Sequence, residues 1–151
     1  MTYEERSLPA LSRLESVALL ARSHVGRAVF TERALPAVAT VPFAFHNAGI
    51  VMHTSGDSRL ASAAARGSIL AFEIDDIDPG TRTGWSVVVL GEPELVTAGE
   101  ERAVIEHLLE AWVPGVHDAC IRLALTVVTG RRIDCSGQTP TTSDQSPHPG
   151  R

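Results

Sequence analysis

The chain has 151 residues, 44% of them hydrophobic and 21% charged, with a formal net charge of -5. That is one domain's length, in the composition of a globular chain able to bury a core. The acidic balance lacks the basic face of a nucleic-acid binder, no apolar run reaches the roughly 18 residues of a membrane helix, and the start "MTYEERSLPA" has no apolar signal-peptide core.

Ser12 followed by Glu15 has capping-box spacing, with Leu14, Val17, Ala18 and Ala21 behind it, which predicts a helix over 13–23. "GRAVFTE" (26–32) predicts a short strand and "PAVATVPFAFH" (36–46) a second. In the latter the odd positions Ala37, Ala39, Val41, Phe43 and Phe45 are all apolar and the even ones mixed, so one face meets a core and the other something else. "NAG" (47–49) is a hairpin turn and 50–55 the returning strand. "HTSGDSRLASAAARG" (53–67) then opens a helix of about two turns, with Gly67 as its C-cap. "SILAFEID" (68–75) is a fourth strand, with Leu70, Phe72 and Ile74 on one face, and "DIDPGTRT" (76–83) a polar loop with a Pro-Gly turn signal. "GWSVVVLGEPELV" (84–96) is a long fifth strand that Gly91 and Pro93 bend or bulge. Thr97 and Glu100 repeat the capping-box spacing, with Val104, Leu108 and Ala111 marking a helix that Trp112 closes by packing. "ACIRLALTVVTGRRID" (119–134) supplies a final strand, broken near Thr129 and Gly130. Residues 136–151 hold no aliphatic or aromatic side chain and predict a disordered tail, leaving one domain over 1–135. Cys120 and Cys135 form no CxxC pair and read as reduced thiols of a cytoplasmic protein.

Six or so strands joined by short turns, with about three peripheral helices, predict a mainly β fold: a closed or nearly closed antiparallel barrel.

Little in the chain has the spacing of a catalytic motif. There is no HxH, HExxH or clustered Cys/His set, so no metal site is expected. GxSxG, GxxxxGK[ST] and GxGxxG are all absent. The acidic run "EIDDID" (73–78) reads as a solvated loop after a strand. The stretch at 53–59 offers more. A helix start has free N–H groups and a partial positive charge, and Thr54, Ser55, Ser58 and Arg59 add hydroxyls and a cation, which suits a phosphate. The same residues also suit a plain helix cap, with Asp57 or Ser58 capping and Arg59 in solvent. His53, at a strand end, is either structural or a donor to a ligand.

The succession "GRAVFTERALPAVATVPFAFHNAGIVMHTSGDSRLASAAARGSILAFEIDDID" and then "GWSVVVLGEPELV" resembles the pyridoxamine 5′-phosphate oxidase-like family of flavin-binding split barrels, especially the small branch that includes nitroimidazole-resistance proteins. The resemblance covers roughly 13–134. It implies a six-stranded split β-barrel, a homodimer, and FMN bound at the subunit interface. It further implies that Ala39, Thr40, Val41, Pro42 and Phe43 run along the isoalloxazine edge with their backbone. His53, Thr54 and Ser55 would meet the ribityl and phosphate groups, Ser58 and Arg59 the phosphate, and Trp85 and Ser86 would approach the flavin, often from the partner subunit. Arg59 is the clear phosphate cation, with Arg66 and Arg82 as further candidates. The C-terminal substrate-binding residues of true pyridoxamine phosphate oxidases have no counterpart, so vitamin B6 oxidation itself is not expected. The resulting expectation is a cytoplasmic, homodimeric FMN-dependent oxidoreductase acting on a small molecule. The alternatives are a deazaflavin-dependent reductase of the same fold and a non-enzymatic flavin- or haem-binding module.

Overall fold

A computed structural model describes residues 10–110 and 118–137. Twelve elements follow in chain order: β1 (Ala10–Leu11), α1 (Arg13–Arg22), β2 (Val25–Glu32), β3 (Leu35–His46), β4 (Gly49–Thr54), α2 (Arg59–Ala65), β5 (Leu70–Asp78), β6 (Thr83–Gly91), β7 (Pro93–Val96), α3 (Glu100–Leu109), β8 (Ala119–Ala124) and β9 (Val127–Asp134). Trp112 and the tail beyond Gly137 lie outside the described residues.

All strand pairs are antiparallel, in the order β1-β9-β6-β5-β2-β3-β4-β8-β7. β6 and β9 stand near one end of that order, and β7 and β8 at the other. Yet β6 runs into β7 across Glu92, and β8 into β9 across Leu125–Thr126. Two bent strands thus belong to both ends, which obliges the sheet to curl until its ends approach. Counting each bent run once gives six long strands (β2, β3, β4, β5, β6–β7, β8–β9) plus the two-residue β1. The fold is the expected mainly β split barrel with three helices.

The period-2 pattern of β3 is obeyed: Val41 and Phe43 are buried while Val38 is 66% exposed. Phe43 meets Phe72 of β5 edge to face, with ring centroids 4.9 Å apart. Each such fully buried ring or branched side chain contributes roughly 1.5–3 kcal/mol. Leu20, Ile50, Met52, Leu60, Ile121 and Leu123 complete this interior. α3 covers the opposite side of β4 and β8, where Ile105 and Leu109 pack on Val51 and Cys120.

Several local expectations change. Ser12 caps α1 by accepting from Glu15 N, but the buried side of α1 is Ser16, Leu19 and Leu20, and Leu14 is 81% exposed. α3 is capped by Gly99 at φ 92 rather than by Thr97, and it buries Ile105 and Leu109 while Val104 and Leu108 stay exposed. The last strand breaks at Leu125–Thr126, not at Thr129–Gly130. The run "EIDDID" lies within β5, which continues to Asp78 in register with Thr83 of β6. Cys120 and Cys135 are unbridged. No described helix is long and apolar enough to cross a membrane.

Candidate functional site

β3 changes partner at Pro42. Residues 35–42 pair with β2, ending at Val25↔Pro42, and residues 43–46 pair with β4, beginning at Phe43↔Met52. A residue with no N–H fits where one ladder stops and another starts. Beyond Met52, β4 continues beside β8 alone, with His53↔Cys120 and Thr54↔Ala119. The barrel therefore splits between β3 and β4. No described strand pairs with residues 35–42 of β3 on the side away from β2. The backbone of Ala39, Thr40, Val41 and Pro42 consequently lies on a free edge beside the end of β4. Side chains of Ala39, Val41 and Phe43 point into the core, and that of Thr40 is exposed. His53 is buried and shares the α3-facing side of β4 with Val51.

The turn between β4 and α2 is held by its own polar groups. Ser58 is the N-cap of α2: its Oγ accepts from Ala61 N at 3.0 Å and from Thr54 Oγ1 at 3.1 Å. The Ser55 hydroxyl donates to Asp57. Gly56 N donates to Asp118 Oδ1 at 2.6 Å, across 62 residues of sequence. The helix-cap reading of this stretch is therefore correct for Ser58. The protons of Thr54 and Ser55 are committed to protein acceptors, whereas Ser58 accepts twice and keeps its own proton to donate. Arg59 and Leu60 occupy the first two helical positions, whose N–H groups have no intrahelical acceptor. The Arg59 side chain is exposed and makes no hydrogen bond or ion pair among the described residues. Arg66 sits at the other end of α2, donating to Ser62 Oγ at 3.4 Å, and Arg82 lies in the β5–β6 turn. Gly67 (φ 67) and Ser68 close α2 by donating to Ala64 O and Ala63 O, the paired bonds of a Schellman end.

Trp85 and Ser86 are placed elsewhere in the chain. β5 and β2 separate β6 from β3, so along the sheet they are three strand spacings, about 14 Å, from the free edge. Trp85 packs on the core, and Ser86 is on the outer face opposite Asp75 and Arg131. That outer face carries a charged cluster: Arg27 lies 3.1 Å from Asp75 and 3.5 Å from Glu73. Partial burial, helped by the hydrogen bond and charge of Asp75, pushes the Glu73 carboxyl up to about 7, with Arg27 opposing. Arg27 thus serves mainly its closer partner, Asp75.

Sequence reasoning did not reach Asp118 or Arg102. They line a cavity of about 400 Å³ between α2, β7, α3 and β8, with Gly56 at its edge. Gly56, Ala61, Ser62 and Ala65 of the same wall lie in the stretch 53–67 that the sequence singles out, but nothing there announces the two charged partners. Among the described residues no three His, Cys, Asp or Glu side chains converge as metal ligands would.

The sequence pattern of the family described as pyridoxamine 5′-phosphate oxidase matches residues 12–132. The chain is 37% identical over 139 residues to uncharacterized protein Rv0080 of Mycobacterium tuberculosis, an alignment covering 89% of this chain and 91% of that one. The FAD binding protein from Mycobacterium smegmatis has a solved structure that superimposes with a TM-score of 0.64 at 27% identity, covering 83% of this chain and 98% of the other. A FAD-binding protein from Mesorhizobium loti shares the fold with a TM-score of 0.71 at 23% identity, covering 83% and 97%. On the extent of the sequence match, with the split barrel that accompanies it, the chain belongs to the pyridoxamine 5′-phosphate oxidase family.

Proposed function

We propose that the protein binds the FMN portion of a flavin along the free edge of β3, with the phosphate at the Thr54–Arg59 turn, and works as a homodimeric flavin-dependent oxidoreductase. The observation that carries this reading is the edge of β3 at residues 39–42 that faces away from β2 and pairs with no described strand, beside the end of β4, whose following turn leads to an exposed arginine with no partner among the described residues. A strand edge offers alternating N–H and C=O groups, which suit the alternating donors and acceptors of a flavin rim. The donors left for a phosphate are the Ser58 hydroxyl, the Arg59 guanidinium and the N–H groups of Arg59 and Leu60. The FAD binding protein from M. smegmatis, at 27% identity, adds support for a flavin.

In this reading the bound flavin supplies the hydride or electron transfer. The chain binds and orients it: the β3 edge fixes the ring, and Arg59 answers the phosphate charge. The second subunit would lie on the outer sheet face. There Val38, Val29, Ala71, Leu90 and Val127 form one cross-strand row, with Val38, Leu90 and Val127 41–66% exposed. An isologous dimer would bury that row and bring the partner's β6 toward the site. The unbridged thiols accord with a cytoplasmic location.

Mass spectrometry and absorption spectroscopy of the material that co-purifies with the chain test the reading. A flavin mass with a flavin spectrum is expected; a Soret band with no flavin would contradict it. Turnover of a reducible substrate by the flavin-loaded protein is the outcome expected of an enzyme, and its absence would leave a flavin-holding module.

A further inference from the structure

The cavity between α2, β7, α3 and β8 contains none of the side chains assigned to the flavin. Its volume, about 400 Å³, falls among those of small-molecule sites. It exists because the side of α2 facing β7 carries only Ala61, Ser62 and Ala65, which are too short to fill the gap. β7 borders it on the opposing side at Leu95 and Val96. Cys120 adds a neutral surface: burial raises its thiol above the usual range and keeps it protonated.

The polar end is built from Arg102 and Asp118. Arg102 donates through Nε to Glu106 at 3.1 Å, through Nη1 to Thr97 O at 3.2 Å and through Nη2 to Asp118 O at 2.7 Å. A guanidinium pinned at all three nitrogens is a rigid plane, and such planes stack on aromatic rings. The Asp118 carboxylate spends Oδ1 on Gly56 N and retains a second oxygen as an acceptor. Glu106 answers the charge of Arg102 and Asp118 adds a negative one, so the cavity repels a phosphate and favours a neutral group that donates N–H.

We propose that this cavity is a binding site for a flat heteroaromatic base with an exocyclic amino group, of which adenine is the type. The base lies between the apolar walls and the Arg102 plane, and its amino group donates to Asp118. Any phosphate on such a ligand stays outside, at the end of the cavity away from Asp118. The base has two sources: the adenosine end of a flavin dinucleotide, or a separate adenine nucleotide bound beside the flavin. The first source rests on the flavin reading above; the ring site itself does not.

Calorimetric titration of the full chain tests this with AMP, IMP, FMN and FAD as probes. IMP has the same shape as AMP but replaces the amino donor with a carbonyl. AMP is expected to bind about tenfold or more tightly than IMP, the weight of one hydrogen bond to a charged acceptor. Asp118→Ala should remove that preference, and Ala65→Leu, at an exposed position on the cavity wall, should weaken AMP at least about tenfold by occupying its space. Thermal melts matching the parent would establish that both variants fold. FAD binding tighter than FMN, with the excess lost in Ala65→Leu, assigns the base to a flavin dinucleotide. AMP binding alongside FMN, with FAD no tighter than FMN, assigns it to a separate nucleotide. AMP binding without any flavin binding supports the ring site and overturns the flavin reading. The ring site is overturned if AMP does not bind up to roughly 1 mM and FAD gains nothing over FMN, or if both variants keep AMP within twofold of the parent.

Discussion

Glu73 and Asp75 stand two residues apart on one face of β5, with Arg27 on the neighbouring strand, and the two carboxylates share one cation. Glu73 pays for this arrangement, its carboxyl rising from 4.5 to about 7. Between those values the folded protein binds more protons than the unfolded chain. Stability therefore falls as pH rises from 4.5 to about 7 and is level above. Glu73→Gln cannot ionise, so its melting temperature should gain on the parent's across that window and hold the gain at higher pH. A difference that stays constant from acid to alkaline pH would contradict this origin. Ser58 offers a second test at the same scale. Ser58→Ala should cost about 1 kcal/mol in a denaturant titration, as N-cap losses do, whereas Arg59→Ala, exposed and without a partner among the described residues, should leave stability unchanged. The stretch was legible as polar and capping because Ser and Thr at a strand-to-helix join have few other uses. Which of Asp57 and Ser58 caps was not legible, nor that Asp118 closes the loop from 62 residues away.

Elements were read best where one face alone is buried. β3 and the Leu70–Phe72–Ile74 face of β5 alternate as their side chains require. Helices α1 and α3 were found but turned the wrong way. Each has apolar residues on more than one side, and only the sheet beneath selects Leu19–Leu20 or Ile105–Leu109. The hairpin at Asn47–Ala48 was legible through Asn, which tolerates positive φ. The turn at Arg33–Ala34 has the same left-handed pair (φ 50 and 62) with no Gly or Asn to announce it. The bend between β6 and β7 was legible through Gly91 and Pro93, and it carries a testable consequence. A Cβ on Gly91 would lie 2.1 Å from the backbone oxygen of Ala124, which cannot swing aside as a side chain would. Gly91→Ala should therefore cost about 1–3 kcal/mol or more, as overpacking does. A melt within experimental error of the parent would show that the two bent strands have room to separate.

The whole molecule is a sheet curled by two strands that each serve both ends, and split where β3 leaves β4 at Pro42. The bends were foreseen, one of them a few residues away from its place. The split was expected only through the family resemblance, and its place was not read, because loss of pairing depends on a partner strand and leaves no mark in the residues that lose it, Pro42 apart. The outer row from Val38 to Val127 was legible only in its β3 part, as the mixed face of a strand. Its exposure leads to an assembly prediction: light scattering at micromolar concentration should give the mass of two chains, and Val38→Lys should shift the population toward one. A monomeric parent would remove the dimer from the account. The central claim is that the free β3 edge and the Arg59 turn together hold an FMN moiety, and fluorescence titration of FMN and riboflavin into parent and Arg59→Ala chains tests it most directly. A charge-assisted contact to phosphate contributes on the order of 1.5–3 kcal/mol, so Arg59→Ala should weaken FMN by roughly 10- to 150-fold. Riboflavin, which has no phosphate, should bind the parent weakly and lose little more in the variant. FMN affinity within twofold of the parent, or equal losses for both ligands, would contradict the account.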